Sequence, residues 1–439
     1  MKPSIQPIAG IAFAMKCCGN EGAMMLGLSV ICAVTLVFCL LGRRLSSTII
    51  TAPMIFLTLG ALTSVSGLVD AGRAEQLLHP IAEVALVVLL FLDAAQTDFK
   101  ALRQRRTWPA RMLLIGLPLS ILIGTIAGYV LLPGWPIFAV FLVAAILSPT
   151  DAALGQPVVT NEAVPLRPRR ALIVESGLND GLALPMVLLF ASLTAEEMAS
   201  TDANWLYFAA SQVVLGPIAG ALVGGLGGIV LIKAMDHDLT SDTFEGIAAL
   251  ALAGLSYLLA SQIGGNGFIA AFISGLAFGA TTQGRCKFIY EFVEGEGQLL
   301  SWLAFLLLGA ALVPQAIANL TWMVFALILT SLFIVRPLAV WLSLTRSDAS
   351  SLSRLFFGWF GPRGLATALF ALLVLDIVPH ELGEAILHIA VNAVWISALL
   401  HGITAAPAAA WYGRRIAAMA PCPETQNLES QKSAINAPS

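Results

Sequence analysis

Apolar stretches of about 20 residues, the length that crosses a bilayer as a helix, alternate with short polar segments along most of the chain. They fall near 24–41, 48–68, 78–93, 112–132, 135–157, 171–193, 205–232, 244–263, 266–281, 297–313, 321–343, 355–376 and 385–407. That pattern predicts an all-α polytopic membrane protein with about 13 transmembrane helices. The third and ninth stretches are short, and Pro149 interrupts the fifth. If the loops alternate sides, one side collects Arg43, Arg44, Lys100, Arg103, Arg105, Arg106, Arg111, Arg167, Arg169, Arg170, Lys233, Arg285, Lys287, Arg346, Arg354, Arg414 and Arg415. The other side has Lys2, Lys16 and Arg73. A missed helix would scramble this asymmetry. The excess of Lys and Arg in cytoplasmic loops puts the N-terminus outside and the C-terminus in the cytoplasm.

An odd number of spans suits two inverted six-helix repeats joined by a seventh helix. The fifth span then corresponds to the twelfth. The fifth contains Ser148-Pro149-Thr150-Asp151 and the twelfth contains Gly361-Pro362-Arg363-Gly364. Helix breakers at corresponding places in two halves point to a transporter site between broken crossing helices. Broken helices leave amide and carbonyl ends inside the membrane. An acid suits the amide ends and a base the carbonyl ends, which are the roles expected of Asp151 and Arg363. In the seventh span Gly220, Gly224 and Gly228 recur every four residues, as do Gly275 and Gly279 in the ninth. No GxGxxG spacing is present, so close helix packing is the reading.

Composition narrows the class. Of 439 residues, 58% are hydrophobic and 11% charged, with a mean hydropathy of +0.87. A soluble domain has about 25% charged residues. A net charge of −3 with dispersed basic residues does not call for a nucleic-acid partner. Cys17, Cys18, Cys32, Cys39, Cys286 and Cys422 form no CxxC pair and suggest neither a disulfide framework nor a zinc site. Residues 1–20 read as an N-terminal extension, with a signal peptide as the weaker alternative because Lys2 alone supplies its charge. The transmembrane domain is expected over 21–415. The polar, aperiodic tail 416–439 reads as disordered and cytoplasmic.

The chemistry concentrates in Ile173–Leu189, IVESGLNDGLALPMVLL. An acid at mid-bilayer costs about 2.5–3.5 kcal/mol on an insertion scale. This stretch carries both Glu175 and Asp180. Ser176 and Asp180 are four apart and share a face, as do Glu175 and Asn179. Upstream, LSPTDAALGQP places Thr150 beside Asp151. Two intramembrane acids near a broken helix suggest an ion pathway. The bland alternative is a pair of hydrogen-bonded structural acids. Glu175 has two readings: a direct transport role, or a structural ion pair with Arg336 inside the eleventh span. Asp93, ending the third span, lines the rim of the site or lies at the interface, and Asp98 reads as a surface acid. His380 and His388 are eight apart, so HELGEAILH is not HExxH, and no P-loop or GxSxG is present. No cofactor and no enzymatic activity are expected.

SPTDAALGQPVV followed by ESGLNDGLALPMVLL resembles the sodium/proton antiporters of the monovalent cation:proton antiporter superfamily. RPLAV around Arg336, GPRG around Arg363 and LLFLDA at Asp93 support the resemblance. Asn179-Asp180 resembles the electroneutral Asn-Asp branch. The resemblance implies a homodimer built from a dimer domain and a six-helix core domain. It implies Asp180, Asp151, Thr150 and Ser176 as cation ligands, with Asn179 beside them, Na⁺ held by Asp180 and Asp151, and Glu175 paired with Arg336. It also implies an integral plasma-membrane location, the inner membrane in a bacterium. A cation channel on the same scaffold, or an intramembrane enzyme or sensor using the buried acids, are the alternative functions.

Overall fold

The computed structural model describes residues 25–27, 29–42, 49–96, 107–198, 205–286, 297–419 and 422–425. Its helices are α1 (Met25–Gly42), α2 (Ala52–Val65), α3 (Ala71–Ala95), α4 (Thr107–Leu131), α5 (Ile137–Ile146), α6 (Ala152–Val159), α7 (Leu166–Met198) and α8 (Trp205–Asp236). They continue as α9 (Asp242–Gln262), α10 (Gly267–Thr282), α11 (Gln298–Ala311), α12 (Val313–Ala318), α13 (Trp322–Ser343), α14 (Ser351–Trp359), α15 (Leu365–Leu373) and α16 (His380–Ala418). Among the described residues, eight helices are long and apolar enough to cross a membrane, and five shorter apolar ones accompany them. Each of the expected spans is met by a helix or, for the fifth and twelfth, by a broken pair of helices.

Local chemistry sets several starts. Asp70 accepts from the N–H of Arg73 and caps α3. Asn266 caps α10, Thr321 caps α13 and Ser350 caps α14 in the same way. The third span is longer than its apolar run suggested. The cap at Asp70 lets α3 begin in the polar sequence Arg73–Glu75–Gln76–His79, ahead of Pro80, and run for 25 residues.

The inverted repeat is visible in matching irregularities. α4 and α13 each contain a π-helical turn, Met112–Gly116 and Ser331–Val335. Each turn ends just before an X-Pro step, Leu117–Pro118 and Arg336–Pro337. Proline has no N–H to give to the preceding turn, and its ring crowds that turn's carbonyl. A widened turn absorbs both effects. α5/α6 and α14/α15 are the two broken spans, and the longest helices, α7 and α16, follow them.

Packing divides the helices into two bodies. α4, α5, α6, α7, α13, α14, α15 and α16 pack mainly on one another and form the core body. α2, α3, α8, α9, α10 and α11 form the scaffold. In the scaffold, a Cβ on Gly220 would come within 2.3 Å of the Ala270 carbonyl oxygen, and one on Gly224 within 2.1 Å of that of Ser274. Gly275 and Gly279 of α10 approach the Phe91 and Ala95 carbonyls of α3 as closely. The small-residue spacing therefore sets helix contact. Leu40, Val65, Leu114, Val130, Val230 and Trp322 are exposed on the outside of the bundle, as lipid contact requires.

At one end, the polar turns are tied together. Arg167 meets Asp348 at 2.8 Å and stacks on Trp108, and Arg111 donates to the carbonyls of Ser343 and Thr345. α16 runs to Ala418, past the boundary expected at 415, because its last turn still buries Ile416. Residues 422–425 lie against the core body: Glu424 accepts from Ser350 and Ser353, and Arg167 donates to the Pro423 carbonyl. The 1–20 extension, the rest of the tail, Asp98 and the Lys100–Arg106 cluster lie outside the described residues.

Candidate functional site

Two chain breaks face each other in the core body. α5 ends before Pro149, and residues 147–151 are non-helical until α6 begins. α14 ends before Pro362, and residues 360–364 are non-helical until α15 begins. The amide ends of α6 and α15 thus lie inside the protein. Asp151 serves both. Its Oδ2 accepts from the Leu365 N–H at 2.8 Å, and its Oδ1 accepts from the Leu154 N–H at 3.4 Å. Its own N–H donates to the Pro362 carbonyl at 2.9 Å.

Arg363 occupies the opposite pole. It is 1% exposed and donates to the carbonyls of Ser148 at 2.5 Å and Pro149 at 3.1 Å, where α5 ends. A second arm reaches Ser331 Oγ at 3.3 Å. The acid meets partial positive charge and the base meets partial negative charge, so each break is compensated. Both glycines of Gly361-Pro362-Arg363-Gly364 are spatially required. A Cβ at Gly361 would lie 1.5 Å from Arg336 Nε, and one at Gly364 would lie 1.9 Å from Asp151 Oδ2.

α7 supplies the next layer. Arg336 grips both Glu175 oxygens, Nη1 to Oε1 at 3.1 Å and Nη2 to Oε2 at 3.2 Å, with both side chains buried. Thr150 donates to Glu175 Oε2 at 3.4 Å and accepts from the Asn179 amide. Ser176 donates to the Thr150 carbonyl at 2.7 Å. Thr150, Ser176 and Asn179 therefore knit α7 to the fifth-span break. Thr150, Ser176, Glu175 and Asp151 also border a small hole of about 30 Å³, large enough to admit water.

Asp180 is placed differently. It faces a cavity of about 300 Å³ between the core body and the scaffold. Asp93 from α3, Gln96 just after its end, Asp151 from the break and Ser301 from α11 share that cavity. One Asp180 oxygen, Oδ1, is buried and has no hydrogen-bond partner. A buried acceptor without a donor marks a place for a proton, a water or a cation. Asp93 therefore lies on the cavity wall. The structure brings Asp180, Asp151 and Asp93 to one cavity, and it turns Thr150, Ser176 and Asn179 toward the break beside it. Among the described residues, no group of three or more His, Cys, Asp and Glu is arranged to hold a metal ion. A cation here would be cargo on oxygen ligands rather than a resident metal.

Sequence reasoning passed over three supporting residues. Ser397 Oγ accepts from the Arg363 N–H at 2.7 Å. His401 bonds the Trp359 carbonyl through Nε2 at 2.8 Å and Ser397 through Nδ1. Ser331 receives Arg363. Ser397 and His401 are polar positions four apart in the apolar α16, which is the signal that could have found them.

A family model described as "Sodium/hydrogen exchanger, transmembrane" matches residues 28–411. The chain is 28% identical over 392 residues to the K(+)/H(+) antiporter NhaP of Alkalimonas amylolytica, covering 88% of this chain and 66% of that one. It is 26% identical over 398 residues to the K(+)/H(+) antiporter NhaP2 of Shewanella baltica, covering 87% and 65%. The chain thus spans just under two thirds of the length of these relatives. Its fold is similar to that of the sodium proton antiporter MjNhaP1 from Methanocaldococcus jannaschii, with a TM-score of 0.71 at 21% identity, covering 91% of this chain and 98% of that one.

Proposed function

The chain belongs to the sodium/hydrogen exchanger family, and we propose that it exchanges a monovalent cation for protons across a membrane by competition at Asp180. The observation that carries this is the unpartnered buried oxygen of Asp180 in a cavity shared with Asp93 and Asp151. Glu175, Arg336 and Arg363 are engaged in ion-pair or helix-end contacts. A cation at a carboxylate disfavours its protonation, and a proton removes the charge that attracts the cation. If the core body moves only with one or the other bound, the two ions exchange without ATP. Asp151 shapes the cavity from its place between two helix ends, and Asp93 adds negative charge on the scaffold side.

The finer reading has four parts. One cation replaces one proton, because Asn179 next to Asp180 cannot titrate. The cation is Na⁺ or K⁺, and separate titrations choose between them. The arginine-rich end faces the cytoplasm of a plasma membrane, the inner membrane in a bacterium, so that the N-terminus is outside and the described state opens inward. The working unit is a homodimer.

The test is cation-driven proton movement in proteoliposomes. Asp180→Asn should abolish it while the protein remains folded, and exchange at the normal rate would sink the proposal. In the unaltered protein the apparent KM for the cation should rise on acidification, approaching about tenfold per pH unit for one-proton competition. Repeating the measurement at clamped potentials tests the stoichiometry. An end-point that moves with potential would mean that a second carboxylate carries protons.

A further inference from the structure

The cavity holding Asp180 does not stand alone. A second cavity, of about 380 Å³, lies beside it toward the arginine-rich end. Gln156, Gln298 and Ser301 line both. These residues form the partition between the chambers. The partition is also divided between the two bodies. Gln156 comes from α6, the half-helix of the core body that starts at Asp151. Gln298 and Ser301 come from the first turn of α11, in the scaffold.

Each chamber contains a sign of hydration. Thr51 Oγ1 is buried without a hydrogen-bond partner and lines the second chamber. Gln96 Nε2, likewise buried and unpartnered, lines the first. Buried polar atoms of this kind are met by water where the space is polar and large enough. The outer wall of the second chamber is fixed by an aromatic stack: Trp302 lies on Phe56 at 5.2 Å between centroids and against the edge of Phe38 at 5.1 Å. The chamber has little carboxylate to hold a cation, so it suits passage rather than storage.

We propose that Gln156, Gln298 and Ser301 form the inner neck of the transport path, at which a cation from the arginine-rich face exchanges part of its water shell for amide and hydroxyl oxygens before reaching Asp180. This rests on the exchange function proposed above. Uncharged oxygens can replace hydration water without trapping the ion, as a passage site requires. Because Gln156 rides on the core body and Gln298 and Ser301 stay with the scaffold, movement of the core parts the neck. The same displacement that turns Asp180 away therefore removes its inner approach.

The experiment is sided cation titration in vesicles of known orientation. Gln156→Leu with Gln298→Leu should raise the apparent KM for the cation at the arginine-rich face about tenfold, the value of one polar contact to an ion. The KM at the opposite face should stay near normal, while the maximal rate from that face falls by the same factor, because equal concentrations on the two sides must give no net flux. A merely structural role would shift the KM at both faces. Gln156→Asn with Gln298→Asn, which keeps the amides, should recover most of the affinity. Unchanged KM in the leucine variant would overturn the neck. A change equal at both faces would also overturn it.

If the leucine variant does not reach the membrane, the native Cys39 carries the test, because it lines the second chamber. In a chain whose other cysteines are alanine, a cationic methanethiosulfonate reagent added at the arginine-rich face should block uptake from that face. Full modification with normal uptake kinetics would overturn the proposal. Absence of any cation-driven proton flux in the unaltered protein would instead sink the exchange function itself, so the two failures are distinguishable.

Discussion

The two bodies of this protein are held together by different physics. In the scaffold, α8, α10 and α3 approach through glycines that bring backbone against backbone. In the core body, a chain of charged and polar contacts runs from Asp151 and Arg363 through Thr150 and Asn179 to Glu175 and Arg336. The difference follows from what each must contain. Unbroken helices satisfy their own backbone groups, so close contact and dispersion suffice. Broken helices expose amide and carbonyl ends in a low-dielectric interior, and only fixed charges and hydrogen bonds can meet them. The body that carries the break must therefore be polar inside, and its buried network also keeps its shape if it moves as a unit.

The sharpest way to break the comparison is at Glu175 and Arg336. Removing one partner of a buried pair commonly costs about 3–5 kcal/mol, because the other charge is left uncompensated. Glu175→Gln and Arg336→Met should each lower the melting temperature of the purified protein strongly. The double variant should lose less than the sum of the two. Additive losses would show that the pair contributes no coupling and that the core is not held by its charges.

The scaffold predicts a smaller loss of another kind. A Cβ at Gly224 would sit 2.1 Å from the Ser274 carbonyl oxygen, so Gly224→Val must push α8 from α10. Overpacking of this sort costs about 1–3 kcal/mol. The expected result is a lower melting temperature that does not depend on salt or pH, since no charge is involved. A salt-dependent loss would mean that the contact is not a simple steric one.

Much of this arrangement was legible in the residues, and the unread part has a common cause. Hydrophobic runs located the spans because every spanning segment must be apolar over a fixed length. Pro149 and Pro362 announced the breaks because proline lacks the donor a helix needs. The four-residue glycine spacing announced close contact. What no local pattern could convey was which way a side chain turns. Asn179 and Ser176 share helix faces with Glu175 and Asp180, yet the structure directs both to Thr150 in the fifth-span break. Asp151 was legible as a helix-end acid, but not as one carboxylate serving α6 and α15 together. That depends on two segments about 214 residues apart meeting. Ser397 and His401 were passed over for the same reason, since their partners are in the twelfth-span break. The stretch 422–425 is short, and it is held by its own turn between Cys422 and Thr425 together with tertiary partners at Glu424 and Pro423.

That stretch gives the smallest effect and the finest test of the polar core. Glu424 is buried at the start of α14, where Oε1 accepts from Ser353 Oγ at 2.6 Å and from the Ser350 N–H at 3.0 Å. Burial alone would push its carboxyl up, but the hydroxyl and amide donors of Ser353 and Ser350 outweigh it and hold the group below its ordinary value of 4.5. A depressed value in the folded state means that the unfolded chain binds the proton more readily. The contribution is therefore complete above the unfolded value and is lost as pH falls through the folded one. Glu424→Gln should cost about 1 kcal/mol at neutral pH, the worth of an ordinary hydrogen bond. Melting curves of the two proteins should converge on acidification below the ordinary carboxylate range, since the unaltered side chain then becomes neutral as well. Other carboxylates titrate in both proteins and cancel in the difference. A gap that stays constant down to acid pH would mean that the shape of the side chain matters and its charge does not, and the tail would then belong with the scaffold's mode of packing.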